Sequence, residues 1–214
     1  MPIDSCTETP LARNHNSRSS PRHTSQKAPK QASQLRIIGG RWRGRKVAFA
    51  PIEGLRPTGD RLRETLFNWL QFHLPGARCL DLFAGSGALG LEALSRGAET
   101  VDFVELDRGA AQMLRQQLEL LQAEGGRVHN CPAEVFLSQA AASHQPFDVI
   151  FVDPPFAGDL WQSTLAALTE AGLIADKARI YVESPRDTAM PVPADWELEK
   201  EKRAGQVCMR LYAT

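Results

Sequence analysis

Short apolar runs and helical spacings alternate along most of the chain. Apolar runs of four to six residues predict strands at residues 79–82, 101–105 and 147–152. Apolar residues three or four positions apart predict helices between these runs. One such helix spans about 88–95, and the next carries Ala111, Leu114, Leu118 and Leu121. Shorter strands are predicted at 127–129 and 179–183.

The beginning of the pattern predicts two further elements. Residues 35–38 and 45–49 are typical of a small hairpin, residues 35–50, that turns around Gly39-Gly40. A helix follows within residues 57–73, which Thr58 or Asp60 can cap and which Pro75-Gly76 ends. The apolar face of this helix is predicted to carry Leu62, Leu66, Trp69 and His73.

The end of the chain predicts an antiparallel hairpin. Residues 196–202 form its first strand, Ala204-Gly205 its turn, and the alternating Val207, Met209 and Leu211 its second strand. Strands that alternate with helices imply an α/β fold, in which a mostly parallel sheet has helices on both faces. Here the C-terminal hairpin gives that sheet an antiparallel edge.

Charge divides the chain unevenly, although its formal net charge is zero. Residues 1–46 hold ten of the 25 Lys and Arg but only two of the 25 acids. Residues 1–34 have almost nothing to bury, so we expect a disordered basic leader ahead of a domain at 35–214. The leader is either a solvated tail or part of a phosphate-binding surface. The second interpretation is favoured only for a basic patch that interleaves a tryptophan: Arg36, Arg41, Trp42, Arg43, Arg45 and Lys46.

Composition also excludes several classes of protein. The four cysteines are dispersed, at 6, 79, 131 and 208, so they predict neither a metal site nor a disulfide framework. No apolar run approaches the length of a membrane span, and the first thirty residues lack the apolar core of a secretory signal. We therefore expect a cytoplasmic protein with reduced thiols.

A glycine-rich turn follows the first strand of the alternating series and opens a helix. Asp81 ends that strand, and Gly85, Gly87 and Gly90 match the spacing of the dinucleotide-binding fingerprint. Glu105 ends the next strand, where a ribose-binding acid belongs. Ligands of open α/β sheets lie beyond the carboxyl ends of the strands, so this turn predicts a nucleotide cofactor.

Two cofactors and a structural role compete for this turn. A pyrophosphate would meet Asp81 as a like charge, whereas the ammonium of S-adenosylmethionine would be attracted to it. S-adenosylmethionine also carries no phosphate that needs a basic partner. The sequence therefore favours this cofactor over NAD, and a turn used only for helix packing is the third interpretation.

The run at 147–152 leads into Asp153-Pro154-Pro155-Phe156. A carboxylate and the Pro154 carbonyl can accept the two hydrogens of a base amine, and the Phe156 ring can stack on the base. This arrangement favours methylation of a planar amine over an ordinary strand-end turn. We expect the Asp153 carboxylate, with an ordinary pKa of about 4, to position the amine and not to deprotonate it beforehand.

Five segments carry a resemblance to a known family: RIIGG at 36–40, LRPTGDRLRETLFNWL at 55–70, DLFAGSG at 81–87, FVDPPF at 151–156 and YVE at 181–183. From about residue 35 to residue 212, the chain resembles the bacterial small-subunit (16S) ribosomal RNA guanine-N2 methyltransferases. The resemblance implies a class I, S-adenosylmethionine-dependent, Rossmann-like fold with a seven-stranded sheet.

The resemblance also assigns roles to single residues. It implies that Asp81, Phe83, Gly85 and Gly87 surround the methionine part of S-adenosylmethionine, with Thr58 and Arg61 as further contacts there. Glu105 would hold both ribose hydroxyls and Leu106 would lie along the adenine. Asn130, Cys131 and Ala133 are weaker candidates for adenine contacts because Pro132 between them offers no backbone N–H.

The leading hypothesis is thus methyl transfer to guanine N2 of 16S ribosomal RNA, with Asp153, Pro154 and Phe156 as the catalytic residues. A DNA adenine-N6 methyltransferase is the first alternative, since the same motif suits that amine. A nucleotide-binding or NAD-binding module is the second. We expect 16S ribosomal RNA, within an assembling small subunit, as the partner of a monomer that uses neither metal nor membrane.

Overall fold

A seven-stranded sheet organises the computed structural model, which describes residues 33–49, 59–142, 145–156 and 160–214. Two further strands form the N-terminal hairpin, β1 (Ser33–Arg36) and β2 (Lys46–Phe49). The sheet is built from β3 (Arg78–Asp81), β4 (Thr100–Val104), β5 (Gly126–His129), β6 (Phe147–Val152), β7 (Ile174–Pro185), β8 (Glu197–Ala204) and β9 (Val207–Ala213). The helices are α1 (Asp60–Trp69), α2 (Ala88–Ser95), α3 (Arg108–Leu121), α4 (Ala133–Ala140) and α5 (Trp161–Glu170).

The strand order is β5-β4-β3-β6-β7-β9-β8. Strands β3 to β7 pair in parallel, whereas β9 pairs antiparallel with both β7 and β8. The order reverses between β3 and β6, and such a reversal opens a crevice at the carboxyl ends of the strands. The predicted α/β class, the parallel sheet and the C-terminal antiparallel hairpin are confirmed.

Side chains alternate between the two faces of the sheet, and each face has its own hydrophobic core. On one face, Phe103, Phe151 and Tyr181 pack with the hairpin and with α1, α2 and α3. On the other face, Leu80, Ile150 and Val182 pack with α4 and α5. The direction of a side chain on these strands therefore decides which helices it meets.

Helices α4 and α5 were absent from the sequence-based prediction. Buried residues at 133, 136, 137 and 140 line α4, and those at 161, 164, 165 and 168 line α5. Both helices thus carry the expected spacing, over eight and ten residues. Helices α2 and α1 have the same lengths and were predicted, so the spacing at α4 and α5 was an available signal that the prediction missed.

Three details of the predicted elements are wrong. Asp60 is the first residue of helix α1 and therefore does not cap it; the cap position is Gly59, which has no side chain to accept a hydrogen bond. Thr58, the other predicted cap, lies outside the described residues. His73 lies beyond the end of the helix at Trp69, and the buried side chains are Arg63, Leu66 and Phe67. The predicted alternation in β9 is absent because this strand lies between two others and buries five consecutive residues.

The strand at this edge of the sheet is β8, and β9 lies inside it. Seven of the eight residues of β8 are exposed. At the other terminus, β1 begins at Ser33, two residues before the predicted hairpin. The rest of the proposed leader lies outside the described residues.

A buried glutamate on α2 fastens the hairpin to the sheet domain. Glu92 accepts hydrogen bonds from the backbone N–H groups of Ile38 and Gly39, at 2.8 and 2.7 Å, and from Nε of Arg96 at 2.7 Å. One turn later, the Ser95 hydroxyl accepts from the Trp42 N–H at 3.0 Å and donates to the Gly39 carbonyl at 2.6 Å.

The approach of hairpin and helix is close enough to require glycine. Gly40 has a φ of +73°, and a Cβ placed there would lie 1.8 Å from the Ser95 carbonyl oxygen. Buried Arg63 adds a link from α1, because its Nη2 donates to the Arg36 carbonyl at 2.8 Å and to Asp60 at 2.7 Å. The basic hairpin is therefore a fixed part of the α1–α3 face.

None of the helices within the described ranges is long and apolar enough to cross a membrane.

The variant Glu92→Ala tests this anchor. It removes the acceptor of two backbone N–H groups, leaves Arg96 without its acid, and takes from buried Arg63 the second of its two acids, the first being Asp60. We expect the free energy of unfolding in urea to fall by about 3–5 kcal/mol, as for other broken buried ion pairs. Glu119→Ala, at an exposed position of α3, is the matched control and should change stability by less than about 0.5 kcal/mol. Equal, small losses in both variants would contradict the assigned role.

Candidate active site

Four carboxylates lie at the carboxyl edge of the sheet, around the reversal of strand order. Asp81 ends β3, Glu105 and Asp153 directly follow β4 and β6, and Glu183 lies near the end of β7. Asp81 is in register with both Phe103 and Phe151. Residues two positions apart on a strand share a face, so all four acids belong to the α1–α3 face. The structure thus brings together three acids that the sequence assigned to the site and one whose role it left open.

Backbone amides of the turn after β3, of α2 and of the start of α3 hold two of these acids. Asp81 accepts from the Gly90 N–H at 3.0 Å, and Glu105 accepts from Gly85 at 2.6 Å and from Asp107 at 2.7 Å. The Gly87 residue precedes α2 with a φ of +75°. A Cβ at Gly87 would lie 2.5 Å from Leu114 on α3, so the turn packs tightly. Both carboxylates are fixed before any ligand arrives.

Burial and mutual repulsion raise the pKa values of the acids at this edge. Burial, opposed by the Gly90 N–H and supported by the nearby Glu105, raises the pKa of Asp81 to about 7. The pKa of Glu105 is also raised, mainly by burial. A pyrophosphate would add negative charge to these acids, whereas a ligand with net positive charge would offset their repulsion. The donor set therefore fits S-adenosylmethionine, which carries an ammonium and a sulfonium, and does not fit NAD.

The residues predicted to hold the adenine lie after β4 and β5. Leu106 is 70% exposed, which leaves its surface available to a flat ligand. The Asn130 amide donates to the carbonyls of Glu105 and Leu106, at 2.8 and 3.0 Å. Asn130 thus holds the Leu106 backbone in place, so its NH2 group is already used. Ala133 is buried and begins α4, and Cys131 is partly exposed beside it.

Three further residues were predicted to contact the cofactor. Phe83 is partly exposed and packs at the border of the α4–α5 core. Arg61 is exposed in the first turn of α1. Thr58 lies outside the described residues, so its predicted role stays a prediction.

The motif after β6 combines a partly buried acid with an exposed ring. Asp153 is partly exposed, Pro154 is buried, and Phe156 is 44% exposed. The Phe156 ring lies 5.9 Å from that of Trp161, whose indole N–H donates to the Glu183 carbonyl at 2.8 Å. This contact supports the back of the Phe156 ring and leaves surface for stacking.

The environment of Asp153 differs from the sequence-based expectation of an ordinary carboxylate. Burial raises its pKa well above the usual range, and Glu183 and Asp81 raise it further. The expected pKa of about 4 was wrong because the sequence does not show which acids of other strands lie beside it. In this setting Asp153 is a better acceptor for a proton than a solvated carboxylate.

The basic patch lies on the anchored hairpin. Arg36, Arg41, Arg43, Arg45 and Lys46 are all exposed. Trp42 is only 7% exposed and belongs to the core of the α1–α3 face, and the Arg41 guanidinium lies 4.1 Å from its ring centroid. The indole therefore supports Arg41 and does not present an open surface for a base.

Sequence reasoning gave no role of its own to Tyr181. Its hydroxyl donates to Glu183 at 2.6 Å. The signal was available, since two residues separated by one position on a strand share a face. What the sequence lacks is the register that sets this pair beside Asp153.

Similarity to known proteins decides the family. The family described as "Conserved hypothetical protein 95" matches residues 35–213. The chain is 52% identical to ribosomal RNA small subunit methyltransferase D of Escherichia coli over 182 residues, which is 85% of this chain and 90% of that protein. It belongs to that methyltransferase family. The Haemophilus influenzae protein of the same name is 46% identical over 187 residues, 86% of this chain and 96% of that protein.

A solved structure agrees with this family. "Putative methyltransferase yhhF from Escherichia coli" superposes with a TM-score of 0.76 at 52% identity and covers 85% of this chain and 98% of its own. The chain is accordingly an S-adenosylmethionine-dependent methyltransferase of ribosomal RNA, as the sequence predicted.

Affinity for S-adenosylmethionine should depend on pH through Asp81. This carboxyl has a pKa of about 7 in the free protein, and only its ionised form would attract an ammonium group placed beside it. We expect affinity to rise by about eightfold from pH 6 to pH 7.5, since one proton leaves on binding. Calorimetric titration across this range measures the effect.

Asp81→Asn supplies the control for that titration. It should bind more weakly and with a flatter pH profile, because the amide cannot ionise. An unchanged slope in this variant would assign the pH dependence to another group.

Proposed function

We propose that the protein transfers a methyl group from S-adenosylmethionine to N2 of one guanine in 16S ribosomal RNA, within an assembling small subunit. The observation that carries the proposal is the Asp153-Pro154-Pro155-Phe156 exit of β6, which lies beside the acid-lined edge on the α1–α3 face. A planar amine needs acceptors in its own plane and a surface on which its ring can stack. The motif offers both.

The chain's contribution to the chemistry is to hold and orient the amine. Bound S-adenosylmethionine supplies an electrophilic methyl group on its sulfonium. The Asp153 carboxylate and the Pro154 carbonyl accept the two amine hydrogens, which turns the nitrogen lone pair away from the purine ring. Because its pKa is raised, Asp153 can also hold the proton that the amine loses.

Phe156 positions the base for this step. Its exposed ring stacks on the extruded guanine, and Trp161 behind it limits its movement. Comparable aromatic contacts contribute about 1–3 kcal/mol per base. Proximity and orientation, more than acid–base strength, account for the rate.

The exposed cations of the hairpin bind the phosphates of the RNA. Glu92 and Ser95 hold the hairpin backbone on α2, so these side chains project from a fixed support. The protein acts as a monomer in this proposal, and the particle supplies the rest of the recognition surface.

Methyl transfer to undermethylated small subunits, free 16S ribosomal RNA and duplex DNA, compared side by side, tests the proposal. We expect transfer to ribosomal RNA, with N2-methylguanosine as the product after nuclease digestion and mass spectrometry. The same digests map the modified nucleotide. Preference for duplex DNA, or N6-methyladenosine as the product, would support the adenine alternative instead.

Asp153→Asn tests the catalytic assignment. The amide keeps the shape of the side chain but cannot accept a proton and presents donors to the amine. We expect kcat to fall by about 100- to 1000-fold, as when other groups that stabilise a transition state are removed, while cofactor affinity stays within a few-fold. Exposed Asp195→Asn should retain full activity. Normal turnover in Asp153→Asn would remove Asp153 from the mechanism.

Neutralising the hairpin tip tests the RNA-binding role of the basic patch. In the triple variant Arg41→Gln, Arg43→Gln and Arg45→Gln, RNA affinity should fall, and the slope of log affinity against log salt should flatten by about 0.7–0.9 for each phosphate that the protein no longer neutralises. Lys200→Gln on the edge strand is the control and should keep the slope. An unchanged slope in the triple variant would place the RNA elsewhere.

A further inference from the structure

Glu183 is a buried acid whose side chain and backbone carbonyl each accept a hydrogen bond. It is 6% exposed and lies near the end of β7. Its Oε2 accepts from the Tyr181 hydroxyl at 2.6 Å, and its backbone carbonyl accepts from the Trp161 indole at 2.8 Å. This hydrogen bond from a neutral phenol orients the carboxyl group of Glu183. A carboxylate has about four lone-pair positions, so it can accept several hydrogen bonds at once.

Strand register places Glu183 beside Asp153. Val152 of β6 is the register partner of Val182 of β7, and the two acids are the next residues on these neighbouring parallel strands. Neighbouring strands lie about 4.8 Å apart, and paired positions point to the same face. The influence of Glu183 on the pKa of Asp153 agrees with this proximity. The exit of β6 and β7 therefore presents two adjacent carboxylates, and Phe156 follows Asp153 by three residues in the chain.

The Watson–Crick edge of guanine matches two adjacent acceptors. Guanine carries a hydrogen on N1 directly beside its N2 amine, so both groups donate. Adenine has an amine on C6, but its N1 is an acceptor. A carboxylate at the N1 position would thus gain a hydrogen bond from guanine and would face a lone pair of adenine.

We propose that Glu183 accepts the N1–H of the target guanine while Asp153 accepts from its N2 amine. This inference rests on the proposed function and makes Glu183 the residue that selects the base. Holding N1 also fixes the rotation of the purine in its own plane, which directs the amine toward Asp153 and the Pro154 carbonyl. Tyr181 is a positioning residue for Glu183.

The purine analogue 2-aminopurine separates the two acceptors. It keeps an amine on C2, but its N1 is an acceptor without a hydrogen. The analogue replaces the guanine that nuclease digestion and mass spectrometry identify as the methylated one. The substrate is free 16S ribosomal RNA or the small subunit, whichever the protein methylates, and kcat/KM is compared with that of the same substrate carrying guanine. The wild-type protein should prefer guanine by at least about thirtyfold, since a site built to bind a hydrogen rejects an analogue that lacks it.

The variant Glu183→Gln should lose most of this preference. Its amide can accept from the guanine N1–H or donate to N1 of 2-aminopurine by turning over. We expect activity on guanine to fall and the guanine-to-2-aminopurine ratio to fall by at least about tenfold. The ratio isolates the N1 contact, because changes that affect both substrates cancel as in a double-mutant cycle.

Three controls accompany this comparison. Glu183→Asp keeps an acceptor and should keep the preference for guanine at a lower rate. Tyr181→Phe removes the orienting hydroxyl but leaves the carboxylate, so it should also retain the preference. Exposed Glu197→Gln should behave as wild type.

Two results would overturn the assignment. One is equal wild-type activity on guanine and 2-aminopurine, which needs no variant and therefore does not depend on how Glu183→Gln folds. The other is an unchanged ratio in a folded Glu183→Gln protein that still binds S-adenosylmethionine. Failure of the proposed function can be told apart from failure of the Glu183 assignment. If the proposed function is wrong, the wild-type protein forms no N2-methylguanosine at all.

Discussion

The site depends on the two-residue period of a parallel sheet. Phe151 and Tyr181 point toward α1–α3, so Asp153 and Glu183, two positions later, point the same way. A shift of one residue in either strand would turn that acid toward the dry α4–α5 core. Phe151 and Tyr181 pack in the core, and the two carboxylates follow them where the strands leave the core. The same strand register therefore sets both the packing of the aromatic residues and the placement of the acids.

Clustered acids reduce the stability of the protein that carries them. Asp81 has a pKa of about 7 in the fold, higher than in an unfolded chain, where it is about 4. Between these values the folded protein binds more protons than the unfolded one, so this group lowers stability as pH rises from about 4 to about 7. A positively charged ligand at the same edge offsets the repulsion. The residues that prepare the site for the cofactor are therefore the ones that destabilise the free protein, a common feature of active sites.

Local signals in the sequence predicted much of the fold but missed what distant strands determine. The bounds of α2 and β6 were predicted to the residue, because a glycine turn precedes one and a continuous apolar run defines the other. Trp42, by contrast, packs in the core and is not open to RNA. The positions of Asp81 and Glu105 at the carboxyl edge of the sheet could be predicted, since each ends or follows an apolar run. The proximity of Glu183 to Asp153 and the raised pKa of Asp153 could not, because strand order and register decide which residues lie beside them.

The edge strand β8 has a consequence for the behaviour of the protein in a crowded solution. Exposed edges can pair with strands of other molecules and so start aggregation. Six of the eight residues of β8 are charged, with both signs interleaved, and seven are exposed. A second strand would have to bury these charges to pair with it. At the opposite margin, β5 has only four residues and offers little length for pairing. The two margins of the sheet therefore resist intermolecular strand pairing by different means, one by charge and the other by shortness.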